Sequence, residues 1–235
     1  MSPRSFVRML AAFPELPRVF NPWRDVDADN DIGDRAPAHR RAHLLAYLNE
    51  RVDHARVLLI AEAAGWQGCH FSGLAMTSER ILLGGCRDKG VDPADVIEAR
   101  HIQRTSRPEE RPSGANEPTA TIVWQAIKRS GIDPRSVVLW NAFAFHPLKD
   151  RMLSNRRPTA SECAAVRPVL EAFMQLFPDA QTVAIGQVAK TLLAQMDVAV
   201  KVCVRHPSQG GATQFREAIA RLFGQTQRAT RSSAR

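Results

Sequence analysis

Four short apolar runs punctuate the chain, and stretches with helical periodicity lie between them. The runs are VLLIA (57–61), SVVLWNAFAF (136–145), TVAIG (182–186) and VAVKVCV (198–204). Short continuous apolar runs are typical of parallel strands that helices cover on both faces. The pattern therefore predicts an α/β fold, a three-layer sandwich whose central four-stranded parallel sheet is flanked by helices.

Helices are predicted where apolar residues recur every three or four positions or where capping residues open a segment. Within 38–55 the apolar positions are Leu44, Leu45, Leu48 and Val52. Thr159 and Glu162 have capping-box spacing and open a further helix. The remaining predicted helices are 77–83 with Thr77 or Ser78 as the cap, 119–130 ended by Gly131, 187–196 and 212–223.

Three segments lack such periodicity. Residues 1–35 contain four prolines and an acidic run, and we expect an irregular N-terminal segment there. Residues 104–118 combine three prolines, a glycine and six charges, which predicts a long loop of the kind that is functional or disordered. We expect one domain over 1–223, followed by a disordered basic tail at 224–235.

Composition narrows the cellular context and the partner. No apolar run approaches the roughly 20 residues of a membrane span, and prolines interrupt the N-terminus, so we expect a cytoplasmic protein with no membrane partner. The net charge is +8, and arginine supplies 27 of the 32 basic residues. Arginine forks suit phosphate, which favours a polyanion such as nucleic acid. The alternative is that an arginine-rich composition reflects a GC-rich genome.

The cysteines argue against a metal centre. Cys69, Cys86, Cys163 and Cys203 are widely spread and form no Cys-x-x-Cys pair, whereas structural zinc and iron–sulfur sites usually draw on closely spaced pairs. We expect free thiols, no metal and no cofactor; a metal cluster is the weaker alternative.

Polar residues stand where the predicted strands end. Glu62 follows the first run directly, Asn141 ends an otherwise apolar strand, and His206 follows the last strand. Each of them alone has an ordinary interpretation as a loop or turn residue. Ligands of parallel sheets bind outside the carboxyl ends of the strands, so these three side chains are expected to converge on one site.

Four motifs around these residues resemble, in order and spacing, those of the uracil-DNA glycosylase superfamily. They are LLIAEAAGWQGCHFSGLAMTSE, VLWNAFAFHP, VAIGQVA and VRHPSQGG, and the resemblance runs from about residue 20 to 223. They are most similar to the bacterial members whose first motif has the form Gly-Glu-Ala-Pro-Gly. Here Ala61 and Ala64 replace the glycine and the proline, and the spaced cysteines of the iron–sulfur members are not reproduced.

The resemblance assigns residues of this chain to roles in base recognition. It implies that Glu62 and His206 are catalytic and that Asn141 reads uracil. Gly65 falls where some relatives have a tyrosine that blocks the thymine methyl, and Trp66 beside it either fills that space or faces outward. The stacking aromatic of the family falls at Met76 by spacing, but Phe71 is the aromatic alternative that we favour from the sequence. The seven residues named in this paragraph are numbered by their positions in this sequence.

The activity that the resemblance implies is removal of uracil from DNA with free uracil as the product. It places Gln187 and Ser208 at DNA phosphates, and flanking arginines are assigned there provisionally: Arg104, Arg107, Arg111, Arg151, Arg156, Arg157 and Arg205. We expect a monomer acting on double-stranded DNA. The alternatives are a non-catalytic uracil- or abasic-DNA-binding protein on the same scaffold, and an unrelated α/β hydrolase of a nucleotide or small glycoside.

Overall fold

The computed structural model describes the backbone of residues 1–233 and the side chains of residues 1–224. The strands are β1 (Val19–Phe20), β2 (Val57–Ala63), β3 (Val137–Phe143), β4 (His146–Pro147), β5 (Gln181–Ile185) and β6 (Val202–Val204). The helices are α1 (Pro3–Ala11), α2 (Ala36–Asn49), α3 (Cys69–Ser72), α4 (Glu79–Leu82), α5 (Pro93–Val96), α6 (Pro118–Arg129), α7 (Ala160–Met174), α8 (Gln187–Gln195) and α9 (Ala212–Ser233).

The central sheet has four parallel strands in the order β3-β2-β5-β6. Its two inner strands are covered on both faces, and residues 57–61 of β2 are all buried. Helices flank the sheet: α1 packs on α2 and α7, and α6 packs on α9. The predicted fold class is therefore confirmed.

The register of β2 against β3 places Glu62 and Asn141 near each other at the carboxyl edge of the sheet. In the pairing of β2 with β3, Ala61 lies opposite Asn141, so Glu62 follows one position beyond that pair. The strand β2 continues to Ala63, so Glu62 lies inside the strand rather than after it, where the sequence had indicated. Strand β6 is shorter than predicted and begins only at Val202.

We expected residues 1–35 to be irregular, but part of this segment forms a helix and a short strand. Pro3 opens α1 at a first-turn position where the missing N–H costs nothing, and Ser2 caps the helix by accepting from the Ser5 N–H. Phe6 and Leu10 of this helix are buried in the core. The short strand β1 then pairs with β4 in a separate two-stranded antiparallel sheet.

Several of the remaining boundaries follow the sequence, although α2 ends at Asn49 rather than near residue 55. Ser78 caps α4, and Thr159 and Glu162 form the predicted capping box of α7. The segment 104–118 is a loop, held by an isolated bridge between Asp31 and Ser106. The last helix α9 continues to Ser233 where a disordered tail was expected from residue 224, and residues 234–235 lie outside the described part of the chain.

None of the described helices is long and apolar enough to cross a membrane.

Candidate active site

A cavity of about 380 Å³ opens at the carboxyl edge of the sheet. Glu62 comes from β2, Asn141 from β3 and His206 from the segment after β6, and all three side chains line it. Residues from two strands and from the segment after a third thus meet in one space, as expected at the carboxyl edge of a parallel sheet. The other lining residues are Ala61, Ala63, Ala64, Gly65, Cys69, Met76, Glu117, Asn155, Arg156 and Arg157.

Glu62 is a partly desolvated carboxylate. Its side chain is 31% exposed, and the Arg157 Nε lies 3.9 Å from Oε1. Burial raises the pKa of Glu62 above its usual value, and the charge of Arg157 opposes that rise only in part. The result is a partly desolvated carboxyl group with one nearby cation.

Asn141 presents an amide that the protein does not use. The residue is 3% exposed, yet among the described residues no hydrogen bond is made to its side chain. A buried amide normally has partners because an unpaired one costs free energy. The donor and acceptor of Asn141 are therefore available to a ligand in the cavity.

The tautomer of His206 is set by the turn that follows it. Its Nδ1 accepts the backbone N–H of Ser208 at 3.1 Å and lies 2.7 Å from the Ser208 hydroxyl oxygen. An accepting Nδ1 carries no proton, so the neutral ring must be protonated at Nε2. Burial, helped by the charge of Arg205, lowers the pKa of His206 and keeps the ring neutral. His206 therefore supplies an Nε2–H donor.

Of the two candidates for the stacking position, Met76 lines the cavity and Phe71 does not. Met76 lines the cavity from a left-handed backbone conformation with φ 45°. Phe71 is fully buried outside the lining, where its ring packs on His70 and under the Arg111 guanidinium. The sequence-based choice of Phe71 as the platform is corrected because its faces are already covered by protein.

Gly65 faces an amide that the sequence did not indicate. A Cβ at Gly65 would lie 3.5 Å from the Asn155 Oδ1, which also accepts the Trp66 backbone N–H at 3.2 Å. Asn155 comes from the loop after β4 and therefore occupies part of the space next to Gly65. The Trp66 side chain is not among the lining groups.

Glu117 adds a second carboxyl group to the cavity, and sequence reasoning missed it. It stands at the N-cap of α6, at the end of the 104–118 loop, and its Oε1 accepts the Thr119 hydroxyl at 3.0 Å. Burial raises the pKa of Glu117 to about 7. Its location within a charged, proline-rich loop gave no pattern by which to find it.

The two arginines of the basic connection have different roles. Arg157 is 76% exposed and lies at the cavity mouth beside Glu62. Arg156 is 20% exposed and donates to both Glu162 carboxylate oxygens, at 2.8 and 2.6 Å, and to the Leu148 carbonyl. Its guanidinium donors are engaged within the protein, but Arg156 also lines the cavity, and its assignment to DNA phosphate stays a prediction.

Three further arginines brace the 104–118 loop. Arg104 donates to the carbonyls of Arg111 and Pro112, Arg107 to those of Ala28 and Asp31, and Arg111 to the Asn30 side chain. These internal hydrogen bonds hold the three side chains at the loop, and their provisional assignment to phosphate stays a prediction. Arg151 is exposed.

A second cavity of about 420 Å³ adjoins the first and shares Glu62, Arg157 and His206 with it. It lies over the start of α8, whose Gly186 N-cap makes no side-chain capping bond. The remaining sequence-predicted contacts to DNA line this cavity: Gln187, Arg205 and Ser208.

The thiols and acids offer no metal site among the described residues. No three His, Cys, Asp or Glu side chains there come close enough together to hold an ion. Cys69, Cys86 and Cys163 are buried free thiols, and Cys203 is partly buried.

Fold and cavity together define a class: an α/β protein with a polar site at the carboxyl edge of a short parallel sheet. A family model described as the uracil DNA glycosylase superfamily matches residues 49–223. The chain therefore belongs to the uracil DNA glycosylase superfamily. Among solved structures, it is similar to wild-type SMUG2 from Pedobacter heparinus, with a TM-score of 0.60, 12% identity and 97% of each chain covered. No curated protein matches the sequence.

Proposed function

We propose that this protein is a DNA repair glycosylase that extrudes uracil from double-stranded DNA and hydrolyses its N-glycosidic bond. The products are free uracil and an abasic site, and the protein acts as a monomer. The observation that carries the proposal is the meeting of Glu62, Asn141 and His206 in one cavity. Membership of the superfamily supports the reaction class.

Asn141 is the proposed reader of the base. Its unpartnered amide donates to O4 of uracil and accepts from N3–H. Cytosine presents the opposite pattern at both positions, so its binding would leave buried polar groups unpaired. Such mismatches carry a large penalty and give strong discrimination.

His206 and Glu62 stabilise the two charges that form as the bond breaks. The departing base becomes negative, and the Nε2–H of His206 donates to O2, where that charge collects. The deoxyribose becomes an oxocarbenium-like cation, and the Glu62 carboxylate stabilises it and positions the attacking water. The proton from that water passes to Glu62 or solvent, and water oxygen forms the new bond at C1′.

Met76 and Arg157 support binding rather than chemistry. The Met76 thioether lines the cavity and offers a polarisable surface on which the extruded base can rest. Extrusion costs a few kcal/mol of stacking, which such contacts offset in part. Arg157 at the mouth, with Gln187, Ser208 and Arg205 in the adjoining cavity, is positioned to meet backbone phosphates.

A duplex with a single uracil tests the proposal. After incubation and alkali treatment, strand scission at the uracil is expected for the native protein. Glu62→Gln and His206→Ala should each slow excision by about 10² to 10⁴-fold. The matched control is Glu110→Gln, an exposed carboxylate in the 104–118 loop, which should retain full activity.

Each alternative gives a distinct result. Tight binding to uracil-containing DNA without scission would mean a non-catalytic recognition protein. Activity on free nucleosides but not on DNA would mean a small-molecule hydrolase. Scission that survives in Glu62→Gln and His206→Ala would reject the assigned roles.

A further inference from the structure

Glu117 reaches into the cavity through a gap that a glycine leaves open. A Cβ placed on Gly68 would collide with the Glu117 Oε2 and lie 2.9 Å from Cδ. Any larger residue at position 68 would thus expel the carboxyl group. The carboxyl lines the same cavity as Asn141 and Met76, so it faces the space proposed for the extruded base.

The two oxygens of Glu117 are in different environments. Oε1 accepts the Thr119 hydroxyl at 3.0 Å. Among the described residues Oε2 has no hydrogen-bond partner, and Glu117 forms no ion pair. When the group is neutral, the proton therefore belongs on Oε2, where no protein acceptor in the described chain takes it.

The charged groups around the cavity do not neutralise Glu117. Glu62 on β2 carries a like charge, and Arg157 is 3.9 Å from Glu62 instead. His206 is kept neutral by burial, and Arg156 is paired with Glu162. Two further ionisable groups bear on this region. The pKa of the Cys69 thiol is raised by burial and by the charge of Glu117, and Glu79 accepts the Ala115 N–H two residues before Glu117.

Burial raises the pKa of Glu117 from an ordinary 4.5 to about 7, against the Thr119 hydrogen bond, which lowers it. Below neutral pH the group is therefore a carboxylic acid, and above it a carboxylate beside a second carboxylate. A neutral carboxylic acid held in this way can donate a hydrogen bond, which a carboxylate cannot.

We propose that Glu117 is a specificity-determining residue that reads the extruded base as a neutral acid, donating from Oε2–H to an acceptor on the base. The acceptor is a carbonyl oxygen on the edge facing α6. When ionised, Glu117 repels both that acceptor and the negative charge of the leaving base. This inference rests on the proposed glycosylase function and concerns the same site.

The test measures binding to a duplex with one uncleavable uracil nucleotide, 2′-fluoro-deoxyuridine, against the same duplex without it. The affinity of the native protein for the uracil duplex should fall by about tenfold per pH unit above the pKa of Glu117. The affinity of Glu117→Gln should change little with pH, because its amide donates at every pH. Affinity for the uracil-free duplex should depend on pH equally in both proteins. Glu110→Gln is the matched control and should behave as native.

Thr119→Val gives a second, independent readout. It keeps the Glu117 carboxyl but removes the hydrogen bond that favours its charged form, so the decline should move to higher pH. A residue with a merely structural role would produce no such displacement. Thermal unfolding of each variant at pH 6 verifies that it is folded.

Parallel pH profiles for native protein and Glu117→Gln, or an unmoved decline in Thr119→Val, would overturn the inference. Excision measured alongside separates the two claims. Excision with a flat native binding profile refutes the role of Glu117 alone, and pH-dependent uracil binding without excision refutes the glycosylase reaction alone. Failure to prefer uracil-containing DNA at any pH refutes both.

Discussion

The proton of His206 is placed by local structure. The turn after β6 donates the Ser208 N–H to Nδ1, and this fixes the Nε2–H tautomer before any substrate binds. At His206 a specific hydrogen bond decides where the proton lies. At Glu62 and Glu117, by contrast, burial raises the pKa of the carboxyl group. The cavity thus holds two carboxyl groups whose pKa values are raised, that of Glu117 to about 7.

Gly65 lines the cavity next to Asn155, and we expect it to set the room beside the extruded base. A Gly65→Tyr ring would displace Asn155 and fill the space in which a 5-methyl group would sit. We expect the native protein to excise thymine measurably from T·G pairs. The variant should lower that rate about tenfold more than it lowers uracil excision from U·G, because one excluded methyl is worth about 10- to 200-fold.

Gly65→Ala is the control for this substitution. Its Cβ would make only an ordinary 3.5 Å contact with Asn155, so the ratio of the two rates should stay at the native value. Complete rejection of T·G by the native protein, or an unchanged ratio in Gly65→Tyr, would contradict this role of Gly65.

At the scale of elements, a single carboxylate on α4 organises the 104–118 loop. Glu79 is fully buried, and its Oε1 accepts the backbone N–H groups of Thr105 at 2.6 Å and Ser106 at 2.9 Å. Its Oε2 accepts the Ala115 N–H at 3.1 Å and the Ser106 hydroxyl. The loop that carries Glu117 is thereby tied to the helix following Met76.

Glu79→Gln should destabilise the protein by about 3 kcal/mol, because its amide would direct N–H groups at backbone donors inside a buried network. Burial raises the pKa of Glu79, but the hydrogen bonds from Ser106, Thr105 and Ala115 outweigh it and lower the pKa below 4.5. The stabilisation is therefore complete above pH 4.5 and is lost as pH falls through the lowered pKa.

Urea unfolding at pH 7 and at acid pH measures this effect. The difference between native protein and Glu79→Gln should shrink as the native carboxylate becomes protonated. Glu98→Gln, an exposed carboxylate, is the control and should change little at pH 7. Equal stability of native protein and Glu79→Gln at pH 7 would contradict the account of the loop.

Elements with strong periodicity could be predicted from the sequence, and those defined by tertiary contacts could not. The central strands and the cap of α7 were predicted because continuous apolar runs and Thr159–Glu162 are local signals. Helix α1 was missed because prolines suggested irregularity, although Pro3 stands at a position where helices accept it. The apolar residues Phe6 and Leu10, which are buried in the structure, were the sequence signal from which this helix could have been predicted.

For the whole molecule, the positive charge divides into structural and available arginines. Arg104, Arg107, Arg111 and Arg156 bind the protein's own carbonyls and acids. Arg157 stands exposed at the cavity mouth. Net charge alone therefore overstates the number of cations that a DNA backbone can meet.

Arg157→Ala should weaken DNA binding and lower the slope of log affinity against log salt by about 1, as expected for one lost phosphate contact. Arg129→Ala is the control, because this exposed arginine ends α6 at the opposite edge of the sheet. Arg156→Ala should instead lower thermal stability, since it leaves Glu162 unpaired. A salt slope identical to native in Arg157→Ala would contradict the phosphate contact.

The site residues that lie at or just after strand ends could be predicted from the sequence. Glu62, Asn141 and His206 could be found because the carboxyl ends of parallel strands share one edge. Glu117 and Asn155 could not, because loops bring them in and no periodicity places a loop side chain. The choice between Phe71 and Met76 likewise depended on which side chain packing leaves uncovered.

The central claim is that three side chains at the carboxyl edge of the sheet act on one extruded base. A crystal structure of Glu62→Gln bound to a duplex with one uracil tests it most directly. We predict uracil rotated out of the helix, the Asn141 amide and the His206 Nε2 each about 3 Å from its polar edge, and the substituted side chain at position 62 beside its deoxyribose. A uracil still stacked in the duplex, or the three side chains contacting different nucleotides, would contradict the account.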